Sequence, residues 1–310
     1  RAHVIRVETG VIVDREFAKK NRPFEVNAWD SQRSVAKGKP VASVVIPTYN
    51  QKPRYLRAAI LSAVHQTVPV EVVVVDDGSD PPVSFDGWPE NVRVVRHTVT
   101  SGDAQPVPVC ASDEAVYTRV RAAGNNMLPQ NRGISAALNT GIAQMTTDWF
   151  CWLSSDDMFD PKKVERQLQV LEAARGKAGF HRYQAYVGND EHGVDAYPRF
   201  SPLAAWKDMN EQREILSKTC AINGSTVMIH KTVFERVGHF DEEFRYSQDW
   251  ELWCRIAVQY RWYGIDEILG TRREHGNLTE AIGNSAENDP RRLRRDAEDA
   301  SIRERYRWPR

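Results

Sequence analysis

Cysteine is scarce in this chain: Cys110, Cys151, Cys220 and Cys254 stand alone, with no Cys-x-x-Cys spacing among them. That argues against structural zinc and against a disulfide framework, and it points to a reducing compartment. Long apolar runs are missing as well. No stretch approaches the ~20 residues that cross a bilayer, and the arginine-bearing start lacks the apolar centre of a signal peptide. Net charge is absent, with 42 Lys plus Arg against 42 Asp plus Glu, so no global positive field marks a nucleic-acid binder. No internal repeat is visible. A cytoplasmic enzyme is the expectation, and 310 residues suffice for one large domain or two modest ones.

What is present is a pair of acidic clusters, each closing an apolar run. Val72-Val73-Val74-Val75 leads into Asp76-Asp77-Gly78-Ser79, and Trp149-Phe150-Cys151-Trp152-Leu153 leads into Ser154-Ser155-Asp156-Asp157. Four valines without a polar interruption read as a strand buried on both faces. Parallel strands under helices have that character, and such sheets bind ligands beyond their carboxyl ends. Both clusters are therefore expected on one rim. Carboxylates gathered there repel one another unless a positive charge sits among them, and a divalent cation holding a phosphate-bearing ligand meets that need. The rim reads as a metal-nucleotide site.

Residues 1–40 carry a β-like stretch at Val11-Ile12-Val13 and otherwise read as an arm or linker ending at Gly38-Lys39-Pro40. Val44-Val45-Ile46 is expected as a buried strand. After Pro53, Tyr55, Leu56, Ala59, Ile60, Ala63 and Val64 recur at helical spacing, so with the Val72 strand they form a βαβ unit. Residues 92–95 read as a further strand, and 98–130 lack sustained periodicity and read as an inserted loop. Ile134, Leu138, Ile142 and Met145 share a helical face. Asp160-Pro161 predicts a helix start with Asp as N-cap, leading into Val164, Leu168 and Leu171. Beyond these, the pattern predicts a strand over 225–229, a short helix over 232–237, an amphipathic helix over 250–258 and a charged, arginine-rich tail over 285–310. The tail reads as a solvated helix or arm, with contact to a membrane surface or a partner as the alternative.

Five motifs then follow one another in a telling order. They are Val44-Val45-Ile46-Pro47-Thr48-Tyr49-Asn50, Val75-Asp76-Asp77-Gly78-Ser79, Asn131-Arg132-Gly133 through Asn139-Thr140-Gly141, Ser154-Ser155-Asp156-Asp157, and Gln248-Asp249-Trp250-Glu251-Leu252-Trp253. Over about residues 41–275 their order and spacing resemble glycosyltransferase family 2. The resemblance implies an α/β GT-A fold with a mostly parallel central sheet flanked by helices. A Rossmann-like nucleotide-binding half of about 41–157 would precede an acceptor half of about 158–284. It also implies inverting transfer from a nucleotide-sugar donor, a UDP-sugar first, with Mn2+ or Mg2+ at the diphosphate. The acceptor would be a hydroxyl of a saccharide, glycolipid or glycoprotein.

Chemistry can be assigned to the motifs position by position. At Pro47-Thr48-Tyr49-Asn50 a tyrosine ring can stack on a nucleobase, although a turn with a packed Tyr is the plainer reading. The resemblance puts that segment, Asp76, Asp77, Asn131 and Gly133 on the nucleotide side; read alone, Asp-Asp-Gly-Ser is an Asx-type turn. Asp156 and Asp157 suit a cation that takes one or two carboxylates plus phosphate oxygens and water. One would hold the metal while the other meets the ribose or a metal-bound water. The family usually has another acid where Ser154 stands, so this rim has one fewer negative charge.

Asp249 matches the general base that takes the acceptor hydroxyl's proton, with Gln248 where the family commonly has Glu. At a helix start an Asp also serves as an N-cap. His275 resembles the late histidine of the metal shell, and Arg272 and Arg273 could neutralise departing phosphates. Gly224 and Ser225 fall among acceptor-side loops, and Trp250 offers a sugar-stacking face. Two alternatives remain: a sugar-phosphate nucleotidyltransferase and a non-catalytic carbohydrate-binding relative. The first would carry a glycine-rich, arginine-containing loop where Pro47-Thr48-Tyr49-Asn50-Gln51 stands, and the second would tolerate loss of Asp157 or Asp249, both of which are present.

Overall fold

A computed structural model describes residues 5–6, 12–13, 35–84, 87–99, 128–129, 131–187, 196–199, 208–274 and 278–308. A nine-stranded sheet forms its centre. The strands are β1 (Ala42–Thr48), β2 (Val70–Asp76), β3 (Val92–Arg96), β4 (Trp149–Trp152), β5 (Met158–Phe159), β6 (Ala178–Val187), β7 (Ala196–Arg199), β8 (Met228–His230) and β9 (Trp262–Glu274). They run in the order β3-β2-β1-β4-β8-β6-β9-β5, and β7 also pairs with β6. The helices are α1 (Pro53–Val64), α2 (Ile134–Ala143), α3 (Lys163–Ala173), α4 (Met209–Leu216), α5 (Lys231–Val237), α6 (Gln248–Gln259), α7 (Leu278–Gly283) and α8 (Pro290–Arg305).

The valine run explains the first half of the sheet. Side chains alternate across a strand, so Val72 and Val74 join Val44, Ile46, Leu56 and Ile60 under α1, while Val73 and Val75 join Val45, Ala137 and Leu138 under α2. All seven residues of β2 are buried. Gly141 lets α2 lie close on β1, because a Cβ there would stand 2.2 Å from Val45 Cγ1. From β3 to β4 every pairing is parallel. Chain order reverses between β1 and β4, which opens the ligand crevice of an α/β sheet at their carboxyl ends.

The second half is mixed, in contrast to the mostly parallel sheet expected. β8 is antiparallel to both β4 and β6, and β5 is antiparallel to β9; only β6 and β9 run parallel. The strand predicted over 225–229 is divided into a 3-10 turn, Gly224–Thr226, and the short β8. The helix predicted from Asp160-Pro161 begins later, because Asp160 accepts from Lys162 N (2.9 Å) and so forms a turn ahead of α3. The residues expected to form a charged tail fold as α8 against the main core: Ile302 is fully buried, and Tyr306 and Trp308 pack with it. One apolar residue late in the helix and two aromatics just past its end are enough to seat an otherwise arginine-rich segment on the core. Of the expected N-terminal arm, Ile5–Arg6 pairs with Ile12–Val13, and of the expected insertion, Thr98–Val99 pairs with Leu128–Pro129. The remainder of both stretches lies outside the described residues. Among the described residues no helix is long and apolar enough to cross a membrane.

Candidate active site

The two acidic clusters share one rim. Asn50 N donates to Ser79 Oγ (2.9 Å), Asp80 N donates to Asn50 Oδ1 (2.8 Å), and Gln51 Nε2 donates to Ser155 Oγ (3.2 Å), so the loops after β1, β2 and β4 are stitched side by side. Tyr49 projects from this rim with half of its surface exposed, at 50%. Thr48 Oγ1, just before it, is buried without a partner among the described residues. Pro47 is the last but one residue of the strand, paired with Val75, and Thr48 still pairs with Asp76.

Asp76 and Asp77 are buried and do different work. Asp76 accepts from Ser79 N (2.8 Å) and Val83 N (3.1 Å), with Arg96 Nε at 3.7 Å, so it shapes the turn, as the Asx reading expects. Asp77 accepts from Arg132 N and Gly133 N (2.8 Å each), and His97 Nδ1 lies 2.7 Å from its Oδ1. Asp77 thereby pins the Asn131-Arg132-Gly133 turn that starts α2, and Asn131 sits exposed beside it. Gly133 adopts φ +95°, the left-handed region that glycine tolerates. Nothing in the sequence marked His97, whose partner lies 20 residues away.

Asp157 is buried and held from two sides. Its Oδ2 accepts from Ser225 Oγ (2.6 Å), and its Oδ1 accepts from Arg273 N (3.0 Å). Ser225 Oγ also receives Ser154 N (3.0 Å). Removal from water, and then the charge of Asp156, push the Asp157 carboxyl up to about 7, against the lowering by Ser225, Arg273 and Arg272. Arg273 continues across the turn: its Nε donates to Asp156 O (3.2 Å), and its guanidinium lies 4.3 Å from the Tyr55 ring centroid. The serine, the arginines and both aspartates therefore converge. Gly224 is required here, since a Cβ would stand 2.4 Å from the Trp152 ring.

Among the described residues no group of three or more His, Cys, Asp or Glu could hold a metal. Mg2+ and Mn2+ do not require one, because phosphate oxygens and water complete a shell begun by one or two carboxylates. A buried carboxylate whose proton affinity is raised by the charge of its neighbour is a donor that a cation would relieve, and the residues fit. His275 lies outside the described residues.

Asp249 sits in the first turn of α6, one residue inside the start, and Ser247 occupies the N-cap position. Its Oδ1 accepts from Trp250 N (2.8 Å). Desolvation pushes its carboxyl up to about 6, countered by the Trp250 amide and the Cys220 thiol, with Asp299 raising it further. Residues 220–225 thus run from the thiol beside Asp249 to the hydroxyl on Asp157. Trp250 is a correction to the sequence reading. Its ring is 2% exposed, and Nε1 donates to Leu216 O (2.6 Å), so it belongs to the core and offers no sugar-stacking face.

The family model described as "Glycosyl transferase family 2" matches residues 43–105 and 127–238. An uncharacterized glycosyltransferase of Rickettsia prowazekii is 28% identical over 77% of this chain and 66% of its own length. Another, of Rickettsia bellii, is 30% identical over 70% of this chain and 27% of its own length. The chain thus spans less than two thirds of these relatives. Among solved structures, S. aureus TarS 1-349 in complex with UDP-GlcNAc superposes with a TM-score of 0.51 at 16% identity, covering 86% of this chain and 71% of that one. The fold is GT-A.

Proposed function

The chain belongs to glycosyl transferase family 2, and from that premise we propose that it transfers a sugar with inversion from a nucleotide-diphosphate sugar to an acceptor hydroxyl. A UDP-sugar is the favoured donor, and the acceptor is a saccharide, glycolipid or glycoprotein. The observation that carries this reading is the Asp156-Asp157 turn at the β1/β4 crevice, with Ser225 and Arg273 gathered on Asp157. The exposed Tyr49 ring supplies a stacking face for the base, and the orphaned Thr48 hydroxyl supplies a hydrogen bond. Asp77, with three protein partners, keeps acceptor capacity for a base imide. Asp156 and Asp157 would hold Mg2+ or Mn2+, which when bound supplies positive charge where the leaving diphosphate develops negative charge. Arg273, whose Nε donates to the main-chain O of Asp156, and Arg272, whose charge lowers the Asp157 carboxyl, would add positive charge beside the pair.

Asp249 then removes the proton from the attacking hydroxyl. A carboxyl pushed up to about 6 is a stronger base than an ordinary aspartate and is still ionised at neutral pH. Transfer should therefore fall as the medium is acidified through pH 6. Residues 98–130 are assigned to acceptor choice, and the cytoplasm, with or without contact at a membrane surface, is the proposed place of work. A thermal-shift panel of UDP, GDP and dTDP and their sugars, with and without Mn2+, tests the donor assignment, because selective binding raises the melting temperature by mass action. Equal shifts by all of them, independent of metal, would refute it.

A further inference from the structure

The loop that leads into the Asp249 helix is fastened by a helix about fifty residues farther along the chain. Glu298, on α8, gathers consecutive backbone amides: its Oε1 accepts from Arg245 N (2.9 Å), and its Oε2 accepts from Tyr246 N (2.9 Å) and Ser247 N (3.1 Å). A carboxylate filling a nest of successive amides fixes the backbone dihedrals of that turn. The next residue, Asp299, accepts from Ser247 Oγ (2.5 Å), and Ser247 is the N-cap of α6. Farther along, Tyr306 Oη donates to Glu251 Oε1 (2.9 Å), and Arg305 Nη1 lies 3.2 Å from the same oxygen. The helix therefore grips α6 at its cap and again one turn later.

The same loop reaches back to the nucleotide side. Arg245 Nη1 donates to Arg132 O (2.8 Å), and the guanidinium lies over Gly133, where a Cβ would stand 2.2 Å from Nη1. Arg132 and Gly133 are the residues whose amides Asp77 holds. Ser135 Oγ donates to Phe244 O (3.2 Å), and Asn139 binds Phe240 through both its amide nitrogen and its oxygen. One continuous set of bonds thus joins the turn at the nucleotide rim to the cap of the base helix, with Glu298 as its outer fastening.

We propose that α8 is a positioning element of the transfer reaction, in which Glu298 sets the Arg245-Tyr246-Ser247 turn and through it the placement of the Asp249 carboxylate. The proposal rests on Asp249 being the base. Glu298 is a positioning residue, since every group it touches is protein. The charged and titratable groups facing Asp249 are the Cys220 thiol from the loop after α4 and Asp299 from α8, and Asp299 has Arg303 Nη2 3.8 Å away. Asp299 adds negative charge beside Asp249, so Asp299→Asn, which keeps an oxygen for Ser247, should lower the pH at which the acid limb of transfer falls. A change of packing alone would not move that limb.

Cys220 provides a readout independent of any substrate. Part of the residue reaches solvent while its sulfur is turned inward, Sγ donating to Ile222 O (3.6 Å), and desolvation first, then the Asp249 carboxylate, hold the thiol well above the usual range. Iodoacetamide labelling of Cys220, followed by peptide mass spectrometry, reports whether that carboxylate remains beside the sulfur. Asp249→Asn should label several-fold faster than wild type, and Glu298→Gln should move toward that rate while UDP binding measured by calorimetry stays within about twofold. With UDP-GlcNAc and Mn2+ as probe and nucleotide release as signal, Glu298→Gln should lower kcat by about 10- to 100-fold with donor KM little changed, the scale of a displaced reacting group. Glu298→Asp should recover part of that loss.

Labelling of Glu298→Gln at the wild-type rate would overturn the proposal, since the turn would then not depend on the carboxylate. Parallel loss of UDP binding and labelling control would overturn it too, by making α8 a general scaffold. Undiminished nucleotide release by Asp249→Asn would instead remove the base assignment, a distinct failure that the labelling experiment does not produce.

Discussion

The two halves of the sheet are built on different principles. In the first half, β1, β2, β3 and β4 run parallel, the side chains of β1, β2 and β4 are buried on both faces, and the loops at their carboxyl ends meet one another through bonds such as Asn50 to Ser79 and Gln51 to Ser155. In the second half the directions are mixed, with β6 and β9 parallel and the other pairs antiparallel, and the structure relies on side chains that reach distant backbone. Gln212 brackets Trp262 through both its O (2.8 Å) and N (2.9 Å), Trp253 Nε1 donates to Ile222 O (3.1 Å), and Lys163, fully buried, donates to Val227 O (3.0 Å). Donor chemistry is thus assigned to a rim set by strand ends. Base chemistry is assigned to a helix set by long-range fastening. Changes on the two sides should fail in different ways.

The largest expected effect separates the halves most cleanly. Asp249→Asn should leave UDP affinity within a few-fold while transfer falls by roughly 10²–10⁴, the worth of a positioned base, as steady-state kinetics with a working acceptor would read. Retained transfer would demote Asp249 to a residue of the helix start.

Next in size is Gly224→Ala, which drives a methyl into the Trp152 ring at the seam between the halves. Overpacking of that kind costs about 1–3 kcal/mol, so chemical denaturation should report a loss of stability, and metal-dependent UDP binding should weaken with it because Ser225 follows directly. Tyr49→Ala should be milder and confined to the donor half. Loss of a stacking face costs about 1–3 kcal/mol of nucleotide affinity, and melting without ligand should hardly change at so exposed a residue.

The smallest effect is a pH dependence. Asp157 has its folded value raised from 3.8 to about 7, so the stability this group contributes is fully present below pH 4 and is lost as pH rises through about 7. Protons and metal compete for the same carboxylate. The melting shift given by Mn2+ plus UDP should accordingly be larger at pH 8 than at pH 6, and equal shifts would mean that Asp157 is not the group that binds.

The same contrast explains what the sequence revealed. Val72 to Val75 was legible because burial on both faces leaves no polar residue in the run, and Ser154 to Asp157 was legible because the cluster follows another such run. β9 was not: Gly264, Asp266 and Glu267 interrupt its alternation, and its pairing with β6 shifts register at His181/Arg182 and again before Gln184. The expectation for Trp250 fails because an aromatic beside an acidic helix start reads the same whether it faces a ligand or Leu216. Glu298 was illegible for a deeper reason. Its partners are main-chain amides about fifty residues away, and an amide carries no residue code.

The proposed transfer depends most on Asp156 and Asp157 forming a metal-dependent nucleotide site. Calorimetric titration of UDP into the protein with Mn2+, repeated after chelation and with Asp157→Ala, tests this directly. Binding that is present with Mn2+ and lost both on chelation and in the variant is the predicted result. Equal binding of UDP in all three titrations, or binding in none, would contradict it.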